Sequence, residues 1–353
     1  MKESNEGFLY PDVDTGLCVE CGLCRNVCQG NIPRPVVKLG QIYAAWSLDD
    51  SIRQTSSSGG IFYSLAKEII LTGGVVFGAV FGDAPGTVAH TWTDNLSGLK
   101  PMQGSKYIQS EIGYSYKLVK QFLCNGKTVL FTGTPCQVFG LYSYLGNTSI
   151  SNLYTMDFVC HGVPSKLAFK SYFGKLVCKY GHIDYCSYRF RNLQQWNYQN
   201  SAIINGARFV LQKEDNLYFS MFLSGLLNRE SCYHCKFATT SRCSDITVGD
   251  FWGIGQERPV CGDTSKGCSL VLPNTNTGSG LLAKVSQSLY LDPRNISEAK
   301  TNTQLFMPTV RPNQRDTSYG YLMSHSLSRT YYKYFSTYFK FLRHTVYQRL
   351  FSH

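Results

Sequence analysis

Apolar positions along the chain fall into short runs separated by glycine, serine and threonine. Ile61, Phe62, Leu65, Ala66, Ile69 and Ile70 sit at i, i+3 and i+4 spacing, which predicts an amphipathic helix. Gly73-Gly74 ends it, and Val75 to Val80 reads as a strand. Lys127 to Phe131 reads as a second, buried strand, followed by Thr132-Gly133-Thr134-Pro135-Cys136-Gln137 and a helix to about Leu145. Leu153 to Val159 forms a third, and the segment from Asp245 a fourth before the turn Gly249-Asp250-Phe251-Trp252-Gly253. Strands that alternate with helices predict an α+β chain with a mixed α/β core. The tail from Thr317 to His353 has no acidic residue and carries Arg329, Lys333, Lys340, Arg343 and Arg349 among tyrosines and phenylalanines, so it reads as basic helices.

Polar chemistry collects just after the strands. Gln54 to Gly60 is a serine–glycine loop before the first helix, and serine caps helices well. Ser57, Ser58, Gly59 and Gly60 offer backbone N–H groups to an anion such as a flavin pyrophosphate, or simply cap and pack the helix. Cys136 is placed near a helix N-terminus, which suits a ligand or redox role. His161, in Cys160-His161-Gly162-Val163-Pro164-Ser165, is positioned to donate to a flavin or a cluster sulfur, or to serve as a structural histidine. The stretch 255–280, rich in Gly, Ser, Thr and Asn, suits a mobile loop over a cofactor.

The chain holds 353 residues, 14 of them cysteine, with 43% apolar and 16% charged residues and a net charge of +11. That composition excludes a disordered chain and makes an anionic cofactor, acidic partner or membrane surface plausible. No secretory signal or membrane-spanning run stands out, so a cytoplasmic location with reduced thiols is expected. Clustered thiols in that compartment point to metal or redox chemistry. No Walker loop, G-x-G-x-x-G or G-x-S-x-G element is present, which weakens kinase, conventional dehydrogenase and serine hydrolase readings. No module for nucleic acid accompanies the charge.

Cys18, Cys21, Cys24 and Cys28 follow the C-x2-C-x2-C-x3-C spacing of a cubic iron–sulfur cluster. Gln29 replaces the proline usual after the fourth cysteine. In two-cluster ferredoxins that fourth cysteine ligates the other cluster, so the fourth ligand here is Cys28 or a distant cysteine. Gly7 to Pro11 looks like the linker before the second half of a ferredoxin pair, with the first half expected from elsewhere or missing. Cys232, Cys235 and Cys243 form a second group one ligand short; Cys28, Cys160 or Cys136 could complete it around a second cluster or a zinc ion.

Together, the cysteine run, Ser57 to Gly60, Ser105-Lys106-Tyr107-Ile108-Gln109-Ser110, Gly133 to Gln137, Cys160 to Ser165, Cys232-x2-Cys235 and Gly249 to Gly253 resemble the coenzyme F420 hydrogenase/dehydrogenase beta-subunit family, from about Gly7 to Gly280. The resemblance implies an oxidoreductase with noncovalent FAD and one or two 4Fe-4S clusters. Relatives include ferredoxin-using flavoenzymes and proteins of bacterial polysaccharide gene clusters. It further implies that the Ser57–Gly60 and Gly133–Gln137 loops, with Thr134 and Pro135, approach the FAD. Lys106 then contacts flavin or substrate, with Cys136 and His161 as further catalytic candidates, and Cys232, Cys235 and Cys243 are cluster ligands. The expected partners are ferredoxin or a partner oxidoreductase subunit and a small-molecule substrate, F420-like or sugar-linked. The tail is a candidate for peripheral contact with the inner membrane face. The expected division is 1–40 ferredoxin-like, 41–300 flavin-binding and 301–353 tail. The competing readings are a ferredoxin-dependent reductase and a zinc-knuckle scaffold in a membrane-associated biosynthetic complex.

Overall fold

The valine-rich runs become the centre of an eight-stranded sheet in the computed structural model, which describes residues 1–28, 30–31, 39–82, 86–181, 183, 185–192, 195–204, 207–211 and 215–335. The chain opens with a hairpin of β1 (Lys2–Glu3) and β2 (Leu9–Tyr10), then one helical turn, α1 (Leu23–Asn26). Next come β3 (Ile42–Ser47), α2 (Asp50–Thr55), α3 (Ile61–Leu71), β4 (Val75–Phe81), β5 (Val88–Thr93), α4 (Ser115–Cys124), β6 (Val129–Thr132), α5 (Pro135–Leu145) and β7 (Leu153–Phe158). After α6 (Lys166–Tyr180), a separate antiparallel sheet forms from β8 (Tyr185–Asn192), β9 (Gln195–Ile204) and β10 (Ala207–Val210). The chain continues through α7 (Leu217–Leu223), β11 (Ile246–Asp250), β12 (Ser269–Pro273), α8 (Asn276–Lys284), β13 (Leu289–Arg294), α9 (Arg315–Ser324) and α10 (Leu327–Thr330).

The large sheet has the order β13-β3-β12-β11-β7-β6-β4-β5. Its middle, β4-β6-β7-β11, is parallel, and antiparallel strands flank it on both sides. Helices cover both faces, which explains why the central strands read as unbroken apolar runs. On one face Ile61, Leu65 and Ile69 of α3 pack on Leu130, Met156 and Ile246 with Leu281 of α8. On the other, Val119 and Leu123 of α4 and Val138 and Leu141 of α5 pack on Phe77 and Phe131.

A third cluster joins the chain's first and last described segments. Phe8, Phe169, Tyr218, Tyr319, Leu322 and Leu327 share it, with the Phe8 and Tyr319 rings 6.2 Å apart. Residues 1–10 and 315–327 therefore pack in one core, across the boundaries expected at 40 and 301. The tail contributes α9, α10 and a π-helical turn, Tyr331–Phe335. Lys340, Arg343 and Arg349 lie outside the described residues, as do Gln29, Pro33 and Pro35. No helix among the described residues is long and apolar enough to cross a membrane.

The loop before β12 differs from the mobile cover expected for it. Arg53, buried beside Trp46, donates from Nε and Nη2 to the Gly267 carbonyl at 3.0 and 2.7 Å. Arg294 donates to the carbonyls of Arg258 and Pro259 at 2.7 and 3.1 Å. Two buried cations thus pin a segment whose composition suggested freedom. The rest of that stretch is β12 and α8.

Candidate functional site

Parallel strands β6 and β7 end side by side, and cysteines follow each end. In open α/β sheets this carboxyl edge is where ligands collect. After β6, Thr134 caps α5: its hydroxyl accepts the Gln137 N–H while the Gln137 side chain accepts the Thr134 N–H, a capping box with Pro135 at the first helical turn. That cap fixes Cys136, whose Sγ lies 3.1 Å from Thr134 Oγ1. After β7, the Val159 N–H bonds the Val248 carbonyl of β11, and Cys160 follows it. Cys232 and Cys235 arrive from the turn after Arg229, whose N–H bonds the Val163 carbonyl. Cys136, Cys160, Cys232 and Cys235 together border one cavity, with Pro135, His161 and Arg242 also in its wall.

Burial raises all three of the inner thiols that shift. Cys160 stands well above its ordinary value, also pushed by Cys136 and Cys232; Cys232 is driven up to about 12; Cys136 rises with help from Cys235. The four thiols thus lie close enough for each to disfavour ionisation of its neighbours. Such a donor set fits a metal centre, since a bound metal deprotonates its thiols and replaces repulsion with attraction. Among the described residues no three His, Cys, Asp or Glu side chains converge as on a single ion.

Cys243 lies next to the cavity's Pro135. Its thiol faces the Pro135 carbonyl at 3.7 Å and packs with the apolar cluster under α5, and it is absent from the cavity wall. His161 does line the cavity, but its Nε2 lies 3.2 Å from the Leu223 carbonyl, and its own carbonyl accepts from Thr309 and Asn228. The Leu223 carbonyl thus helps to orient the ring.

The Ser57–Gly60 and Gly133–Gln137 loops are joined by residues 103–110. Ser57 Oγ accepts the Ser105 N–H at 2.9 Å, Gln103 reaches Ser56 Oγ at 3.3 Å, and Gln137 Nε2 donates to Ser110 Oγ at 3.0 Å. Ser58 donates to the Cys268 carbonyl, and Ser269 Oγ accepts the Gly59 N–H at 2.8 Å. A Cβ on Gly59 would lie 2.3 Å from the Ala45 carbonyl of β3, so packing against the sheet is what requires glycine there. Gly60, at φ +91, turns the chain into α3.

Lys106 is enclosed. Its Nζ donates to the carbonyls of Pro101, Met102 and Gln103 at 2.8, 2.9 and 2.9 Å, using all three ammonium protons. Burial pushes it down to about 7, while the three carbonyls pull toward the charged form. Near it His90, unnoticed in the sequence, is buried with Nε2 2.9 Å from the Thr132 carbonyl. A carbonyl only accepts, so Nε2 carries the proton and Nδ1 is left as an acceptor, without a partner among the described residues. Burial holds this imidazole neutral, down to about 4.

Cys18, Cys21, Cys24 and Cys28 stand apart from this site, all four exposed. Gly22 begins α1 among them, and Leu17, Val19 and Leu23 are also largely exposed, at 81%, 83% and 67%. The hairpin before the run is anchored beside Cys232: Arg229 donates to the Leu9 carbonyl at 2.7 Å and covers the Tyr10 ring, and Arg315 grips Glu6 through two bonds of 2.7 and 2.6 Å.

Comparison with known proteins bears on this arrangement. Residues 126–299 match the family model for the C terminus of the coenzyme F420 hydrogenase/dehydrogenase beta subunit. A chain in a xenon-derivatised structure of the F420-reducing NiFe hydrogenase complex from Methanosarcina barkeri has a similar fold. It is 17% identical, and the likeness covers 77% of this chain and 91% of that one with a TM-score of 0.51. No functionally curated protein matches the sequence. The matched residues include Cys136, Cys160, Cys232 and Cys235, so the segment that supplies this cavity is similar to the C terminus of the coenzyme F420 hydrogenase/dehydrogenase beta subunit.

Proposed function

We propose that this beta-subunit-like redox protein is a flavin- and iron–sulfur-dependent oxidoreductase. The convergence of Cys136, Cys160, Cys232 and Cys235 on one cavity carries the reading. These four thiols are proposed as the ligands of an inner 4Fe-4S cluster, with Cys243 outside the set. Cys18, Cys21, Cys24 and Cys28 are proposed to hold an outer cluster. FAD is proposed to lie along the Ser57–Gly60, 103–110 and Gly133–Gln137 segments, which the Ser57–Ser105 and Gln137–Ser110 bonds support as one surface.

When bound, the clusters supply single electrons and the flavin exchanges them for two-electron chemistry. The chain's own residues do the positioning. The first turn of α5 presents Cys136 toward the thiol cavity and Gln137 toward Ser110, so the two proposed sites meet at one helix end. Lys106 holds the 101–103 turn in shape with its ammonium, a supporting role beside the flavin surface rather than a free contact. The neutral His90 offers Nδ1 as a fixed acceptor near Thr132.

The exposed outer run suits electron entry from ferredoxin or a partner subunit; the substrate is a small molecule, F420-like or sugar-linked. Peripheral membrane contact is assigned to the basic tail. Anaerobic purification followed by an absorbance spectrum and iron, sulfide, zinc and flavin analysis tests the reading. FAD with about eight irons per chain is expected for two clusters. Zinc without flavin would replace it with a zinc-knuckle scaffold.

A further inference from the structure

Behind the four thiols lies a buried charge pair. Arg242 borders the cavity, 2% exposed, and Asp157, at the carboxyl end of β7, is fully buried behind it. The guanidinium is held from several sides. Nη1 donates to the Phe237 carbonyl at 2.5 Å, Nη2 to the Phe158 carbonyl at 3.0 Å, and Nε to Thr247 Oγ1 at 3.2 Å. Its ion pair with Asp157 is long, Nε to Oδ1 at 3.5 Å. Thr247 Oγ1 in turn donates to Asp157 Oδ1 at 2.6 Å, and Asp157 Oδ2 has no hydrogen-bond partner among the described residues.

This is an expensive arrangement if stability alone is the criterion. A buried ion pair rarely outdoes apolar side chains of similar volume, because desolvation consumes the attraction. The pair is also poorly made, with one carboxylate oxygen unpartnered and the closest approach outside hydrogen-bond range. Two carbonyls and a hydroxyl, rather than the carboxylate, fix the guanidinium where it stands, in the cavity wall.

We infer that Arg242 sets the reduction potential of the centre held by Cys136, Cys160, Cys232 and Cys235, with Asp157 as the opposing charge. This rests on the four-thiol reading above. A group bound by four thiolates is negative, and gaining an electron makes it more so. In a water-poor cavity a fixed cation in the wall favours the reduced form, whereas a carboxylate set farther back disfavours it. Arg242 borders the cavity and Asp157 does not, so the cation is the nearer charge. The pair acts as a positive wall with a damped field, and the inner centre becomes easier to reduce than its burial alone allows.

The test uses the full chain, purified anaerobically, in three variants. Arg242→Gln removes the charge but keeps amide protons for the Phe237 and Phe158 carbonyls. Arg242→Lys keeps the charge. Asp157→Asn removes the opposing charge. Iron and sulfide content is measured first, because an unaltered protein without an inner cluster defeats the four-thiol reading itself. The reduction of the inner cluster is then followed by its paramagnetic signal in a potentiometric titration. Arg242→Gln is expected to lower the reduced-to-oxidised ratio at fixed potential about tenfold, equivalent to about 59 mV for a one-electron couple. Asp157→Asn is expected to raise it, and Arg242→Lys to leave it near the original. A structural role would shift the two neutralising variants in the same direction or not at all. Either result, with iron retained, overturns the inference, and Asp157→Asn keeps it open to refutation if Arg242→Gln does not fold.

Discussion

Ser57 Oγ accepts the Ser105 backbone N–H at 2.9 Å, and this one bond joins the serine–glycine loop to the segment that reaches α5 through Ser110. It crosses 48 residues of sequence and shapes a surface rather than a core, since both partners are only part-buried. Ser57→Ala removes the acceptor, and water can reach the freed N–H. A bond of this kind contributes about 1 kcal/mol. FAD affinity is therefore expected to fall about fivefold by fluorescence titration, with the thermal midpoint nearly unchanged. Full retention of FAD affinity would take this seam out of the flavin surface.

Gly59 separates packing from cofactor binding. A side chain there meets the Ala45 carbonyl at 2.3 Å and Ser269 Oγ at 2.9 Å. Strand β3 must move to admit even a methyl group, and overpacking of this kind costs about 1–3 kcal/mol. Gly59→Ala is expected to lower the denaturant midpoint of the flavin-free protein, which checks the packing role directly. Loss of flavin in this variant alone is no measure of a cradle, because strand β3 moves with it.

The thiol ring predicts an ordering among cysteine variants. Cys160→Ser removes a proposed ligand, whereas Cys243→Ser alters a thiol that faces the Pro135 carbonyl outside the cavity. Iron from the inner centre is expected to be lost in the first and retained in the second, while the outer run keeps its own iron in both. Equal loss of iron in the two variants would return Cys243 to the ligand set, and equal retention would remove Cys160 from it.

The helix Ile61–Leu71 was legible because its apolar residues repeat at helical spacing, and β4, β6, β7 and β11 because short, mainly apolar runs end at turn signals. The antiparallel flank β3, β12 and β13 was not, since Ile42–Ser47 mixes alanines with Trp46 and its partners lie more than 200 residues away. The proposed ligand set was legible in outline: Cys232 and Cys235 announce themselves by spacing, and Cys136 and Cys160 stood among the thiols that could complete their group. That both of these share one cavity wall follows from the parallel pairing of β6 and β7, which spacing in the chain does not reveal. The loop from Arg258 to Gly267 misled because its anchors, Arg53 and Arg294, act through backbone carbonyls, and such bonds leave no mark in composition.

His90 and Lys106 make stability depend on pH in opposite parts of the scale. Burial lowers His90 to about 4 from an unfolded value near 6.5. Between those values the unfolded chain binds the proton and the folded one does not, so stability falls as the pH drops through that window. The full effect is about 3 kcal/mol, from about 1.36 kcal/mol per unit. Lys106 is lowered to about 7 from 10.5, so the unfolded chain again holds more protons, now between pH 7 and 10.5, and stability rises with pH there. The three carbonyls around Lys106 Nζ favour its charged form and narrow that second window from below. Chemical denaturation from pH 4 to 10 separates the two groups. His90→Gln is expected to flatten the acid limb and leave the alkaline limb, and Lys106→Met to do the reverse. Because a glutamine amide can still donate to the Thr132 carbonyl, an acid limb unchanged in His90→Gln would mean that His90 is protonated in the folded chain, and its Nδ1 would then be a donor.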